Sequence, residues 1–272
     1  MQIGRKVKNR CDRAVSEAIG FIIIFGIIIA GIGLVTLYGY PILLQQQSSS
    51  NEQIMEKNMI VLQNDLKSLA YKTVPYKETS LNVGGGALTV YNMSYSTTDA
   101  KFSISDDNGQ IVNTDGTSPL EFYPGDLRYE SASAQTGMSL ENGAVVKRMF
   151  AQDGSTMLAE PRWFFDSQTN TAVIYLIGFN TTDIMSQAGV GTVKMNLAQT
   201  NYTPYYLPVG DNIHVTYTQN SNANYSMAWG NYFTGTLNME PTATSGEYIW
   251  PTNNAQPATL VIYRYEIEIE SV

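Results

Sequence analysis

The feature that most constrains this chain is an uncharged segment near its N-terminus. No charged residue occurs between Glu17 and Glu52, and residues 19–44 read IGFIIIFGIIIAGIGLVTLYGYPILL. About 20 apolar residues in a helix cross the hydrocarbon core of a bilayer, so this run is long enough to span a membrane. We therefore predict a transmembrane helix over residues 15–44.

The charges in front of the apolar run predict its orientation. The basic residues there outnumber the single acid, Asp12: Arg5, Lys6, Lys8, Arg10 and Arg13. Basic residues flanking a membrane helix favour the cytoplasmic side. We expect a single-pass protein of the cell membrane, with a cytoplasmic N-terminus and an extracellular C-terminal domain.

A secretory signal peptide is the first alternative for this segment. Such peptides have an apolar core of about 7–15 residues that ends in a small-x-small cleavage site. Here the core is longer, and residues 45–50 read QQQSSS. We expect the apolar segment to be retained.

The junction before the run, CDRAVSEAIG at residues 11–20, resembles the class III signal sequences of archaeal type IV pilins and archaellins. In that family a prepilin-type peptidase removes a short basic leader before the hydrophobic helix. The resemblance implies cleavage after Ala14, which leaves Val15 at the amino terminus, or at the neighbouring Arg13–Ala14 bond. It implies a leader of residues 1–14, a structural or adhesive surface subunit, and association with copies or related subunits through the helix. Glu17 departs from the proline that many members carry there.

Two features of the helix bear on its packing. Glu17 would be the third residue after a cut at Ala14, and a carboxylate beside an apolar run is costly unless it is paired or reaches the interface. It is either an interfacial side chain or a partner for an amino terminus in an assembled fibre. Gly26, Ala30 and Gly33 share one helix face and favour close helix packing, although glycine is common in membrane helices generally.

Residues 45–74 predict an amphipathic helical stalk. Pro41 is expected to kink or end the preceding helix, because proline removes a hydrogen bond to the previous turn. An apolar stripe then recurs at spacings near three and four: Ile54, Val61, Leu62, Leu66 and Leu69. We expect this stripe to lie on the outer domain or to stack against other subunits.

Residues 75–272 have the pattern of a β-rich domain. The NVGGG sequence at residues 82–86 predicts a hinge or turn. Short runs rich in β-branched and aromatic residues predict strands at residues 87–92, 101–105, 110–112, 127–132, 144–150, 162–165, 171–177, 192–198, 213–218 and 261–270. The last run alternates apolar and charged positions, which is the period of a half-buried strand.

The predicted fold class is α+β: a long N-terminal helix followed by a mainly antiparallel β-sandwich with one short helix. The short helix is expected after Ser221, where four aromatic residues recur at helical spacing: Tyr225, Trp229, Tyr232 and Phe233. We interpret these aromatics as core residues, with the lining of a ligand groove as the alternative.

Composition excludes some function classes. Charged residues make up 15% of the chain and the net charge is −8, with the basic residues concentrated in the leader. Nucleic-acid binding is disfavoured because it needs a basic surface. The single cysteine, Cys11, precedes the apolar run, so no intrachain disulfide is expected in the outer domain.

Four Asn-x-Ser/Thr sequences follow the apolar run, and an outward topology makes them candidate glycosylation sites on surface loops: Asn92, Asn180, Asn201 and Asn224. Asn180 and Asn201 are the best placed, since they flank strand-like runs.

The sequence predicts no catalytic, cofactor or metal site. The only histidine, His214, lies in the strand-like run at residues 213–218 and is expected to be an exposed strand residue. One histidine builds neither a His-based triad nor a two-His metal site. The acidic sequences at residues 106–109 and 115–116 are interpreted as turns, with calcium binding as the less favoured alternative.

Three functions from different classes remain. The first is an archaeal pilin-like surface subunit that displays its β domain outside the cell. The second is an anchored protein that binds a ligand or glycan without polymerising, and the third is an anchored hydrolase. A mature chain that begins at Val15 or Ala14 favours the first, and a retained Met1 favours the second.

Overall fold

A computed structural model describes residues 8–72, 74–93, 99–111, 118–252 and 255–272, with side chains from Glu17 onward. The chain forms two compact units, residues 1–50 and residues 51–272.

The N-terminal segment is helical throughout its described length. Helix α1 (Lys8–Leu34) continues through a π-helical turn (Val35–Gly39) into helix α2 (Tyr40–Lys72). Pro41 was expected to kink or end the helix; a helix end at this position was wrong, and the local distortion lies in the π-helical turn before Pro41. A proline ring clashes with the carbonyl four residues earlier, and the wider π-helical turn directly before Pro41 lets the helix continue past it.

The second unit contains two sheets. Its strands are β1 (Tyr76–Tyr91), β2 (Lys101–Ser105), β3 (Leu120–Phe122), β4 (Asp126–Ser131), β5 (Thr136–Glu141), β6 (Ala144–Met149), β7 (Ser155–Ala159), β8 (Phe164–Asp166), β9 (Thr171–Asn180), β10 (Ser186–Leu207), β11 (Ile213–Thr218), β12 (Glu240–Pro241), β13 (Glu247–Trp250) and β14 (Ala258–Ser271). Nine form a sheet in the order β7-β6-β5-β4-β1-β10-β14-β9-β8, and five form a sheet in the order β12-β13-β11-β2-β3. Neighbouring strands are antiparallel except β14 and β9, which are parallel.

The nine-stranded sheet separates two apolar clusters. Along β9, Ile174 and Leu176 face a cluster shared with the five-stranded sheet, whereas Ile177 and Phe179 face a cluster shared with α2. This split follows from the alternation of side chains along a strand. The predicted α+β arrangement, a long apolar helix before a mostly antiparallel β domain with one short helix, is confirmed.

The face that α2 turns toward the sheet differs in part from the predicted stripe. Five α2 side chains in the cluster are fully buried: Met55, Met59, Leu62, Leu66 and Leu69. Ile54 and Val61, which the pattern assigned to the stripe, are 44% and 46% exposed. Met55 and Met59 occupy the buried positions instead. The five buried side chains follow one another at alternating steps of four and three residues, which keeps them on one side of the helix.

The glycine run at residues 84–86 lies inside β1 and is not a hinge. The pairing of β1 with β10 shifts register between Val83 and Leu88, as in a β-bulge. A Cβ on Gly86 would lie 2.4 Å from the carbonyl oxygen of Glu130, and Gly85 has φ of +72°. Glycine is required here by close backbone approach and by a left-handed conformation.

The predicted short helix is present as α3 (Ser226–Asn231), followed by a π-helical turn (Tyr232–Thr236). The four aromatic residues of this segment lie in the core, as predicted: Tyr225 before α3, Trp229 within it, and Tyr232 and Phe233 in the π-helical turn. The Trp229 ring packs against Phe102 of β2 with ring centroids 4.7 Å apart. The aromatic residues of this segment are thus part of the apolar cluster that the two sheets share.

Candidate functional site

The apolar part of the N-terminal helix is a continuous exposed surface within its own unit. Phe21 is 69% exposed, Ile27 66% and Leu37 71%. The helix is long and apolar enough to cross a membrane, and its most apolar window contains no buried residue. Every large apolar side chain described before residue 45 is therefore available to lipid or to another chain.

The residues proposed for helix packing lie on this surface. Glu17, Gly26 and Ala30 are exposed, and Gly33 is half-buried. A Cβ added to Gly26 or Gly33 would meet no atom within 4 Å, so this face is free to receive a neighbouring helix. The backbone of the predicted cleavage residues lies within α1 (Arg13, Ala14 and Val15), and their side chains fall outside the described part.

The four sequon asparagines are all exposed. Asn180 ends β9, and Asn224 accepts a hydrogen bond from the Ser226 backbone N–H at 2.9 Å, which closes the turn before α3. Asn201 was expected on a surface loop, but it lies within strand β10. The Asn92 side chain donates to the Thr181 carbonyl at 3.2 Å. The hydroxyl residue of its sequon, Ser94, lies outside the described residues.

His214 lies between two carboxylates. It is on the outer face of β11, as predicted, but is half-buried instead of openly exposed. Its Nε2 is 2.6 Å from Asp107 Oδ1 and its Nδ1 is 3.0 Å from Glu247 Oε1. Burial opposes the charged imidazolium, yet hydrogen bonds and charge from both carboxylates raise the pKa of His214 overall. The group links the turn after β2 to β11 and β13.

The turn after β2 has the predicted form. Gly109 has φ of +70°, and its N–H donates to the Asp106 carbonyl at 3.1 Å. Residues 115–116, the second predicted acidic turn, lie outside the described residues. Among the residues that the structure describes, no group of three or more His, Cys, Asp or Glu side chains has a geometry that would hold a metal ion.

A buried carboxylate pair was missed by the sequence reasoning. Asp126 accepts two hydrogen bonds from the Arg128 guanidinium, at 2.8 and 3.1 Å, and a third from Ser139 at 2.6 Å. Glu141, on β5, accepts from the Trp229 indole N–H at 2.9 Å. Burial, and next the charge of Asp126, raise the pKa of Glu141 to about 8. The spacing of Asp126 and Arg128 by two was the available signal, because it places both on one strand face.

The protonation states of Asp126 and Glu141 differ because the two carboxyl groups have different partners. Arg128 neutralises Asp126, whereas the partners of Glu141 among the described residues are neutral, namely the Trp229 indole and the Tyr217 hydroxyl. A carboxyl with a pKa of about 8 is mostly protonated at neutral pH. Glu141 is 1% exposed, so this proton is held inside the core. The cavity that Glu141 lines together with Asp126 and Arg128 has a volume of only about 10 Å³, which is too small for a substrate.

Comparison with known proteins gives one family. A model described as "Family of unknown function (DUF7289)" matches residues 13–270. The chain belongs to this family. No curated protein and no solved structure matches the chain.

The extent of the DUF7289 match bears on the site. It includes the exposed apolar helix as well as the β domain. The helix is thus part of the arrangement that the family model describes, and an account of the function has to include both units.

Proposed function

We propose that this chain is a pilin-like surface subunit. Its apolar helix anchors it in the membrane and packs with copies or related subunits, and its β domain is displayed outside the cell in a structural or adhesive role. The leader of residues 1–14 is removed by a prepilin-type peptidase.

One observation carries the proposal: the large apolar side chains of the uncharged helix between Glu17 and Glu52 are not buried by any described residue of their own unit. Soluble proteins rarely expose a contiguous apolar patch above a few hundred Å². Each buried Å² of apolar surface contributes roughly 25 cal/mol, so the surface of this helix strongly favours lipid or another helix over water.

The second half of the helix supports display of the β domain. Helix α2 uses its buried side chains to cover one face of the nine-stranded sheet. Lys147 of β6 adds ion pairs to Glu52 and Glu56 at 2.7 and 2.6 Å. Residues 52–69 of α2 are thereby packed into the β domain itself, so the part of the chain that follows the apolar run belongs to the domain that we propose is displayed.

The experiment is mass spectrometry of the N-terminal peptide from membranes and from surface-sheared material. We expect the protein in both fractions, with mature chains that begin at Val15 or Ala14. Ala14→Leu should block the cut, since a small residue precedes the cleaved bond in the related signals, and the matched Ala18→Leu should leave it intact.

Two results would contradict parts of the proposal. A retained Met1, with protein in membranes and none in sheared material, would replace the pilin-like subunit by an anchored protein that does not polymerise. A chain recovered only from the soluble fraction would reject the membrane anchor altogether.

A further inference from the structure

A groove of about 930 Å³ lies within the second unit, beside the end of α2. One side is formed by the last turns of the helix, including Lys67, Tyr71 and Lys72. The other is formed by residues 160–164, which lead from β7 into β8. The volume falls within the range of small-molecule binding sites in proteins.

The groove concentrates positive charge in an acidic unit. Residues 51–272 contain 11 basic and 22 acidic side chains, and three of the basic ones line this groove: Lys67, Lys72 and Arg162. Five of the other basic residues are neutralised by ion pairs: Lys77, Lys101, Arg128, Lys147 and Arg148. None of the three groove cations forms an ion pair with any residue that the structure describes.

The single acid of the lining does not cancel this charge. The carboxylate of Glu160 accepts a hydrogen bond from the Thr236 hydroxyl at 2.7 Å. Burial, partly offset by the charge of Glu160, lowers the pKa of Lys67. Glu160 thus offsets only part of the cost of burying this ammonium, so an anionic ligand beside Lys67 would add a favourable charge interaction.

Arg162 lies beside two aromatic rings and is exposed to solvent. Its guanidinium lies 5.2 Å from the centre of the Tyr71 ring and 5.7 Å from that of Tyr175. These cation–π contacts favour its position at the groove, and its exposure leaves an N–H edge accessible to a ligand. This edge matches the two oxygens of a carboxylate.

We propose that this groove binds an acidic oligosaccharide, with uronate carboxylates at Arg162 and Lys67. The side chains of Ser68 and Asn64 supply hydrogen-bonding groups for sugar hydroxyls, and the exposed ring of Phe164 supplies an apolar contact. The choice of a saccharide rests on the proposed function, because a displayed domain meets surface polysaccharides.

Two other anionic partners fit the groove less well. An acidic peptide would gain backbone pairing from a free strand edge, and the edge strand beside the groove, β8, is only three residues long. Anionic lipid surfaces are recognised by clusters of about four to eight Lys or Arg residues, and this groove has three.

The test is calorimetric titration of the full chain, in non-ionic detergent micelles, with tetragalacturonate. Maltotetraose is the neutral control of equal length, and tetraglutamate is the peptide control. We expect binding of tetragalacturonate alone, and weaker binding at higher ionic strength because charge attraction is screened.

Variants locate the site. Lys67→Gln should weaken binding about tenfold, since a charge-assisted hydrogen bond is lost. Arg162→Lys keeps the charge but loses the two-point contact, and should also weaken binding. Lys57→Gln is the matched control, because Lys57 is an exposed α2 lysine that makes no ion pair with the described residues and lies outside the groove. Tryptophan fluorescence checks that each variant is folded.

Each contrary result overturns the inference. A folded chain that binds no tetragalacturonate, or binds maltotetraose equally, has no acidic-saccharide site, and preference for tetraglutamate would identify a peptide groove instead. Equal binding by the wild type and Lys67→Gln would place the ligand elsewhere. None of these results depends on leader cleavage, so the proposed function is tested separately.

Discussion

At the scale of single residues, Glu141 is the most unusual side chain of the core. A buried carboxyl ordinarily needs a cation or several donors, yet the described partners of Glu141 are two neutral groups, the Trp229 indole N–H and the Tyr217 hydroxyl. Its pKa of about 8 lies well above the ordinary 4.5. The folded state therefore keeps a proton that the unfolded chain releases between these two values.

This proton makes stability depend on pH. The sign follows from linkage: a carboxyl whose pKa is raised by folding lowers the free energy of unfolding as pH rises from 4.5 to 8. Glu141→Gln keeps the shape and an acceptor for Trp229 but cannot ionise. We expect the variant to match the wild type at pH 5 and to exceed it at pH 9 by on the order of a few kcal/mol.

The measurement is urea unfolding of the full chain in detergent micelles at pH 5, 7 and 9, followed by tryptophan fluorescence. All three tryptophans lie in the second unit, so the signal reports on that unit. Glu240→Gln, at an exposed glutamate, should leave the pH profile unchanged. A difference between wild type and Glu141→Gln that is constant with pH would show that Glu141 is ionised in the fold.

Residue environments such as these are hard to predict from sequence. The position of His214 on the outer face of its strand followed from alternation, but its carboxylate partners come from residues 107 and 247, far away in the chain. Glu141 likewise meets Trp229 across 88 positions. Local patterns predict which way a side chain points, whereas its partners are set by the packing of distant strands.

At the scale of elements, the two faces of α2 give a matched comparison. Leu62 is fully buried against the nine-stranded sheet, and its neighbour Val61 is 46% exposed. Leu62→Ala should reduce the free energy of unfolding by about 2–5 kcal/mol, because it removes contacts and leaves a cavity. Val61→Ala should change it by less than about 0.5 kcal/mol.

Chemical denaturation of the full chain measures both variants. Equal effects at the two positions would mean that α2 presents a different face to the sheet. A large effect at Val61 alone would indicate that the helix face bearing Val61, and not the face bearing Leu62 and the methionines, is the one that is covered.

Strands were predictable where one face was buried and the other exposed. Residues 101–105 and 213–218 were predicted with the bounds of β2 and β11. Strand β5 was missed because its sequence, TGMSLE, contains one β-branched residue, Thr136, and no aromatic residue, so it lacks the composition by which the other strands were predicted. The strand expected at residues 110–112 is absent at its two described positions, which are irregular.

At the scale of the whole molecule, the proposed function assigns association to the small-residue face of the apolar N-terminal helix, which contains Gly26, Ala30 and Gly33. Gly26→Leu should reduce filament or oligomer formation without unfolding the β domain, because a large side chain keeps helix backbones apart. Gly31→Leu is the matched control. It lies about 140° around the helix from Gly26, given 3.6 residues per turn.

Crosslinking in membranes, together with the yield of sheared material, measures association, and tryptophan fluorescence checks the domain. Unchanged assembly with Gly26→Leu would reject this face as the contact. Equal loss with Gly31→Leu would show a general sensitivity to helix bulk.

The position of β14 has a consequence for damaged or prematurely terminated copies. This strand is the last of the nine in sequence, yet it lies between β10 and β9 inside the sheet. A chain cut short before residue 258 would be left with two long, unsatisfied strand borders, which are templates for aggregation. Such a product would be a ready target for proteolytic quality control, so the topology itself discourages incomplete copies from accumulating.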